Sequence, residues 1–242
     1  MTWRVPPFDR AIAELEAYVR ATYAPIGIVV TGSIVRGEAG PNSDLDVFVV
    51  HDQPWRLREQ RWAEGVPVEL FVNPPEQVRR YFVNGHAEGF PDTAHMFATG
   101  EPLEPVHPVI RELVAEARDW LARSLEPAPD QLESLRYGSV DLLDDARDII
   151  ARDPVAASLL LADAVRRIIA YAFWKQRKFQ PRRKDAVTAL AAIDPAAAEL
   201  VRRWSRSSGA EALAAAGALA RHVLDADSFY AWTSAREPIA ER

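Results

Sequence analysis

The sequence contains no cysteine, and this absence removes three kinds of chemistry. Disulfide bonds, zinc sites with cysteine ligands and thiol nucleophiles all need that residue, so carboxylates, histidines and hydroxyls must carry any reaction. A zinc site built from histidines is not expected either, because His86 and His95 have no third ligand in helical register with them.

Long apolar runs are also missing. No stretch approaches the roughly 18 apolar residues of a membrane-spanning helix, and the segment from Met1 to Pro7 lacks the apolar centre of a signal peptide. These absences predict a cytoplasmic protein without a membrane partner. The net charge of −6 provides no overall attraction to nucleic acid, so we do not expect a nucleic-acid partner.

The length of 242 residues and a hydrophobic content of 48% are sufficient for one large domain or two modest ones. Strand-like segments are confined to the first half, and from about Val109 the apolar pattern is helical. We therefore predict an α+β fold in two domains. The first, residues 1–107, contains a sheet with flanking helices, and the second, residues 108–242, is an all-α helical bundle.

Two short apolar runs in the first domain are joined by a glycine-rich turn. The first, residues 28–30, is β-branched and stops at Gly32 and Ser33, where the backbone can approach a ligand closely. The second carries Asp44 and Asp46 at its start, and side chains two apart project from the same face of a strand, roughly 6 to 7 Å apart. Both carboxylates could hold Mg²⁺, which takes oxygen ligands and is usually bound by one or two carboxylates plus substrate phosphates.

A third carboxylate comes from the next strand-like run, residues 66–72, in which Glu69 is the one charged residue. Burying an unpaired carboxylate is costly, so Glu69 needs an explanation. Either it is held by a salt bridge or exposed at the sheet edge, or it faces Asp44 and Asp46 across adjacent strands and completes a metal site.

Two further segments of the first domain have a helical pattern. Residues 9–23 are predicted to form a helix with Asp9 as its N-cap. Residues 54–64 are predicted to form a short helix, in which Trp55 and Trp62 lie on one face and contribute to the core.

In the second half, Asp153 and Asp194 each precede a proline, which predicts an N-cap followed by proline at the first helical position. The segment from Arg166 to Lys184 contains eight basic residues and no acid. Because Pro181 interrupts this segment, its end is interpreted as a basic loop between two helices.

The arrangement of these motifs resembles the nucleotidyltransferase superfamily typified by DNA polymerase beta and kanamycin nucleotidyltransferase, in particular its small bacterial members with a C-terminal helical domain. The signature of that family is Gly-Ser, a spacer, Asp-x-Asp on a strand and a third acid on a later strand. In this sequence its parts are Gly32 and Ser33, the ten residues 34–43, Asp44 with Asp46, and Glu69.

The resemblance implies a mixed sheet in the first domain and transfer of a nucleoside monophosphate from a nucleoside triphosphate, with ATP the expected donor, to a hydroxyl. It also implies two Mg²⁺ ions bridged by Asp44 and Asp46, while Glu69 holds the ion beside the acceptor and is the candidate base. The residues implied in nucleotide binding are Gly32, Ser33, Arg36, Ser43 and Lys184.

The acceptor is expected to be a hydroxyl-bearing small molecule, with aminoglycoside-type antibiotics as one class, which would make the protein an antibiotic-resistance enzyme. Residues that either contact the acceptor or are ordinary surface charges are Glu88, Asp92, His95, Asp141 and Asp145. Two alternatives stay open: a protein-modifying enzyme of the antitoxin type in the same superfamily, and a catalytically inactive nucleotide-binding protein. Whether the chain forms a homodimer is also left open.

Overall fold

The computed structural model describes residues 7–234 and 236 of the chain. The prediction that residues 1–7 are not a signal peptide falls mainly on residues 1–6, which lie outside the described residues. The described strands are β1 (Gly27–Thr31), β2 (Leu45–Val50), β3 (Leu57–Ala63), β4 (Val66–Asn73) and β5 (Glu101–Pro102). The described α-helices are α1 (Phe8–Tyr23), α2 (Pro75–Ala87), α3 (Asp92–Thr99), α4 (Pro108–Ala122), α5 (Pro129–Ile149), α6 (Pro154–Lys175), α7 (Ala186–Ile193), α8 (Pro195–Ser205) and α9 (Gly209–Leu224). None of these helices is both long enough and apolar enough to cross a membrane.

The chain divides into two compact units, of which the first ends at Arg123 and the second begins at Ser124. The sequence pattern places the boundary earlier, between residues 107 and 108, and the difference is α4. Ile110 and Leu113 of α4 belong to the same buried cluster as Val29 of β1, so this helix packs on the sheet of the first unit. A helical period shows which side of a helix is apolar, but it does not show which element covers that side.

The first unit is built on a mixed sheet whose five described strands have the order β3-β4-β2-β1-β5. Strands β2 and β4 run parallel, and the other neighbouring pairs are antiparallel. In the parallel pair Asp46 is opposite Glu69 and Phe48 is opposite Phe71. The predicted mixed sheet with flanking helices is confirmed.

The two faces of the sheet have separate cores, because successive residues of a strand point to opposite sides. On β2, Val47 and Val49 belong to the cluster that includes α1, whereas Phe48 and Val50 belong to the cluster formed with α2, α3 and α4. Asp46 therefore projects from the face that these three helices cover.

The short helix predicted over residues 54–64 is wrong, because most of this segment forms β3 and pairs antiparallel with β4. β3 is an edge strand, where charged side chains are favoured because they discourage pairing with another chain. Trp62 is 69% exposed and Trp55 is 42% exposed, so their predicted place in the core is also wrong. The hairpin signal is the pair Glu64 and Gly65, whose φ values of 45° and 76° suit a two-residue turn between twisted strands.

The two N-caps predicted in the helical half are confirmed. The carboxylates of Asp153 and Asp194 each accept a hydrogen bond of 2.9 Å from the amide three residues later. Asp9 differs from its prediction, because α1 begins at Phe8 and Asp9 lies in its first turn.

The second unit consists of helices α5 to α9 and the 3-10 helix Arg183–Asp185. Small and branched apolar side chains from all five α-helices form one buried cluster, with Leu143, Leu161, Leu190, Val201 and Leu219 among its members. Its described residues form no strand, in agreement with the predicted helical bundle.

Candidate metal and nucleotide site

Asp44, Asp46 and Glu69 come together at one end of the parallel strand pair. Asp46 and Glu69 are opposite each other in register, and Asp44 directly precedes β2. Ligand oxygens of the three side chains lie within 4.8 Å of one another. Three carboxylates at this spacing could hold a divalent cation that prefers oxygen ligands.

Gly32 leaves room for the carboxylate of Asp46. Its φ of +89° lies in the left-handed region, and a Cβ added there would be 2.4 Å from Asp46 Oδ2. A side chain at this position would therefore strain the backbone and collide with the carboxylate. The glycine of the Gly-Ser motif thus has a steric role in the site.

The loop between β1 and β2 is held by hydrogen bonds that centre on Ser43. Ser33 Oγ donates to Ser43 Oγ at 3.0 Å, and the amide of Gly40 donates to the same oxygen at 2.8 Å. Ser33 follows Gly32 and Ser43 precedes Asp44, so these bonds fix both ends of the loop at the edge of the carboxylate cluster.

Glu69 also forms a salt bridge, which the sequence analysis gave as the alternative to a metal-ligand role. Arg58 Nε donates to Glu69 Oε1 at 2.5 Å, and Gln60 Nε2 donates to the same oxygen at 3.3 Å. The Arg58 guanidinium lies 4.7 Å from the centre of the Phe71 ring. Because a carboxylate has two oxygens, this ion pair and a metal-ligand role are compatible in one side chain.

The carboxylates differ in their affinity for protons. The pKa of Asp46 is raised to about 6, first by burial and then by the negative charges of Asp44 and Glu69, while Arg36 and Arg58 oppose the rise. The pKa of Glu69 is lowered, chiefly by its hydrogen bond from Arg58. Crowded negative charge at Asp46 is an environment that a bound cation would relieve.

A cavity of about 700 Å³ opens beside Glu69 on the same face of the sheet. Its floor follows the register of β2 and β4. Asp46 and Glu69 lie at one end, the stacked rings of Phe48 and Phe71, 4.8 Å apart, lie in the middle, and Asn73 lies at the other end.

A chain of hydrogen bonds joins three residues that line the cavity at the Asn73 end. Tyr81 of α2 donates to Asn73 Oδ1 at 3.3 Å and accepts a hydrogen bond from Arg56 Nη1 at 2.8 Å. No sequence motif marks these three residues, because only the pairing of β3 with β4 and the packing of α2 bring them together. Asp92, one of the expected acceptor-contacting residues, also lines the cavity.

The remaining expected residues lie on other elements of the two units. Arg36 Nε pairs with Glu38 Oε2 at 3.0 Å within the loop, and Lys184 is exposed on the 3-10 helix of the second unit. The assignment of both to the nucleotide stays a prediction. The other expected acceptor-contacting residues are Glu88, which caps the C-terminus of α2, His95 in α3, and Asp141 and Asp145, which are exposed on α5.

Comparison with known proteins agrees with the motif and the fold. Residues 12–90 match the model of the nucleotidyltransferase domain family, which confirms the predicted superfamily for that part of the chain. No curated protein matches the chain significantly. The chain is similar to a solved nucleotidyltransferase-like protein from Exiguobacterium sibiricum, with a TM-score of 0.53 and 12% identity over 90% of this chain and 74% of that one. At that identity the likeness shows the fold alone.

Proposed function

We propose that this chain transfers a nucleoside monophosphate from a nucleoside triphosphate, with ATP as the expected donor, to a hydroxyl group of a small molecule. The observation that carries the proposal is the convergence of Asp44, Asp46 and Glu69 beside the glycine of the Gly-Ser turn. A polyphosphate and a hydroxyl held next to one carboxylate cluster have the proximity that an in-line displacement at phosphorus requires.

The donor set fits Mg²⁺. Asp44, Asp46 and Glu69 offer carboxylate oxygens, and burial together with the two acidic neighbours raises the pKa of Asp46 to about 6, an effect that a bound cation would oppose. Mg²⁺ bound there would neutralise phosphate charge and make the acceptor hydroxyl more acidic. Two such ions, as the family resemblance implies, would share Asp44 and Asp46.

The strand order supports placing the two substrates on opposite sides of Asp46. Gly32 and Ser33 follow β1 on one side of β2, whereas Glu69 lies on β4, on the other side. Backbone amides of the turn would bind phosphate oxygens, and the Ser33 hydroxyl would join them by turning its proton from Ser43 Oγ to the phosphate. The acceptor hydroxyl then belongs beside Glu69, with the rest of the acceptor in the cavity beyond it.

Glu69 suits the role of metal ligand better than that of general base. A base works best when its pKa is near the working pH, and the hydrogen bond from Arg58 lowers the pKa of Glu69. A carboxylate that stays ionised and is held in place by β3 can bind a cation and orient the hydroxyl.

Removing either aspartate tests the proposal. Asp44→Ala or Asp46→Ala should preserve the circular dichroism spectrum but abolish Mg²⁺-dependent ATP binding in calorimetry. Both should also abolish pyrophosphate release in a screen of hydroxyl acceptors. Asp52→Ala, which removes an exposed carboxylate shortly after β2, is the matched control and should behave like the wild type. An Asp46→Ala variant with wild-type ATP affinity would refute the metal-site assignment.

The role of Glu69 is tested separately with Glu69→Gln, which keeps the shape of the side chain and removes its charge. A ligand role predicts weaker Mn²⁺ binding and partial recovery of pyrophosphate release at high Mn²⁺ concentration. A base role instead predicts unchanged Mn²⁺ affinity and turnover lower by about 10² to 10⁴-fold with an altered pH profile.

A further inference from the structure

We propose that the cavity beside Glu69 selects an acceptor that carries an anionic group, a carboxylate or a phosphate, and that Arg56, Tyr81 and Asn73 recognise this group. The inference rests on the proposed function for the position of the acceptor hydroxyl. The anion-binding end of the cavity depends on the geometry of the cavity alone.

The cavity is long enough for the acceptor hydroxyl and the anionic group to lie at its two ends. β4 carries Glu69, Phe71 and Asn73 at every second position, so the three side chains project from the same face of the sheet. At about 3.3 Å per residue, the ends of this run are roughly 13 Å apart at the backbone. A hydroxyl beside Glu69 and a second polar group near Asn73 would therefore lie at opposite ends of one small molecule, with its middle on the Phe71 ring.

Arg56 provides positive charge at the far end. Among residues 7–234 and 236, Arg56 forms no ion pair, and its hydrogen bond goes to the neutral hydroxyl of Tyr81 at 2.8 Å. The guanidinium has five N–H donors in a planar fork, so most of them are available to a ligand. Arg58, the other arginine that lines the cavity, is already paired with Glu69 at 2.5 Å.

Asn73 adds a donor beside this cation. The residue is 3% exposed, and its Oδ1 accepts the hydrogen bond from Tyr81. Its amide nitrogen makes no hydrogen bond within the described part of the chain, and it is not among the fully buried polar atoms that lack a partner, so it is open to the cavity that Asn73 lines. A carboxylate or phosphate oxygen would satisfy Asn73 Nδ2 and Arg56 together, with the Tyr81 hydroxyl holding the two in place.

Asp92, an acid of α3 that also lines the cavity, forms no ion pair with Arg56, whose hydrogen bond goes to Tyr81. Asp92 Oδ1 accepts a hydrogen bond from the amide of Thr93 at 2.7 Å, at the positive N-terminal end of α3. A cationic acceptor of the aminoglycoside type would meet the positive charge of Arg56 at this end of the cavity, whereas Asp46 and Glu69 lie at the other end.

Ring compounds that differ in one group test the charge preference. The probes are 4-(hydroxymethyl)benzoate, its neutral isostere 4-(hydroxymethyl)benzamide, and the cationic 4-(hydroxymethyl)benzylamine. 4-(Hydroxymethyl)phenyl phosphate distinguishes a phosphate site from a carboxylate site. Binding is measured on the full chain by protein NMR titration without metal or triphosphate, so that it does not depend on nucleotidyl transfer.

We expect an anionic probe to bind the wild type about tenfold or more tightly than the benzamide, the usual effect of a charge-assisted hydrogen bond. Arg56→Gln should remove this preference, because it weakens binding of the anionic probes more than binding of the benzamide. Tyr81→Phe should reduce the preference in part, because it releases Arg56 and Asn73 from each other. Arg80→Gln, which removes an exposed arginine of α2 outside the cavity, is the matched control and should leave all affinities unchanged.

Three results would overturn the inference: equal affinity for benzoate and benzamide with no preference for the phosphate, tighter binding of the benzylamine, or an anion preference that survives Arg56→Gln. Absence of saturable binding by both anionic probes would overturn it as well. Failure of the proposed function looks different, because ATP binding would then be independent of Mg²⁺ and of Asp46 while the anion preference at Arg56 persisted.

Discussion

Glycine at position 32 leaves the space that the Asp46 carboxylate occupies. Gly32→Ala should lower Mn²⁺ affinity by about tenfold or more, the usual effect of disturbing the residues that orient a metal ligand. The reason is that the new Cβ would lie 2.4 Å from Asp46 Oδ2 and must displace it. Calorimetric titration with Mn²⁺ measures the change.

Gly37→Ala is the control for backbone strain. Gly37 has a φ of +72°, but a Cβ there would meet no atom within 4 Å. Both alanines should therefore cost about 1 to 2 kcal/mol for the left-handed conformation, and Gly32→Ala alone should weaken Mn²⁺ binding. Equal Mn²⁺ affinities in the two variants would show that the clash with Asp46 has no consequence.

Asp46 is predicted to destabilise the metal-free protein. Its pKa of about 6 in the folded chain exceeds the ordinary value of 3.8, so between about pH 4 and 6 the folded chain retains a proton that the unfolded chain has released. The free energy of unfolding must therefore fall as pH rises through this window. Asp46→Asn removes a penalty of about 3 kcal/mol at most, since one pKa unit corresponds to about 1.4 kcal/mol.

Urea unfolding in EDTA should show Asp46→Asn to be more stable than the wild type at pH 7.5 and equally stable near pH 4. Added Mg²⁺ should stabilise the wild type by mass action and leave the variant unchanged. Asp52→Asn, at an exposed position, should stay within about 0.5 kcal/mol of the wild type. A variant less stable than the wild type at pH 7.5 would mean that the Asp46 charge is already compensated.

At the scale of elements, α6 and α8 begin with the same Asp-Pro sequence but in different surroundings. Asp153 caps α6, whereas Asp194 caps α8 and also lies 2.9 Å from His222 Nε2. Removing either N-cap with alanine should cost about 1 kcal/mol in chemical unfolding. Asp194→Ala should cost more, and the excess should match the cost of His222→Ala, which leaves the cap intact. Equal costs for the two aspartates would show that the contact with His222 contributes nothing.

The strand β3 shows where local pattern reasoning fails. Trp55 and Trp62 have a spacing that also suits a helix, but pairing with β4 determines the conformation of this segment. That pairing is what places Gln60 opposite Glu69 and brings Arg58 to the same carboxylate. A tertiary contact therefore overrides the local preference, and it also supplies the salt bridge of the candidate site.

At the scale of the whole molecule, α4 decides where the first unit ends. A fragment that stops at Arg123 should fold and unfold cooperatively, because it keeps Ile110 and Leu113 in the core beside Val29. A fragment that stops at residue 107 would expose that cluster to water and should fail to unfold cooperatively. Thermal denaturation and NMR spectra of the two fragments measure this, and equal folding of both would support the earlier boundary at residues 107 and 108.

The sequence by itself determined the features that depend on near neighbours in the chain. Asp44 and Asp46 share a strand face because strand side chains alternate, and Gly32 and Ser33 are recognisable at a set distance before them. The Asp-Pro caps of α6 and α8 and the helical period of the second half are equally local. These patterns were sufficient to predict the fold class, the superfamily of residues 12–90 and the grouping of the three carboxylates.

Only the tertiary structure decided which distant segments meet. It placed Arg58 against Glu69, joined Arg56 to Asn73 through Tyr81, and assigned α4 to the sheet. Residue spacing along the chain carries no information about these contacts, because strand register and helix packing are set by burial of apolar faces over the whole unit. The carboxylates of the candidate site can therefore be recognised in the sequence, whereas the cavity that would select the acceptor exists only in the folded chain.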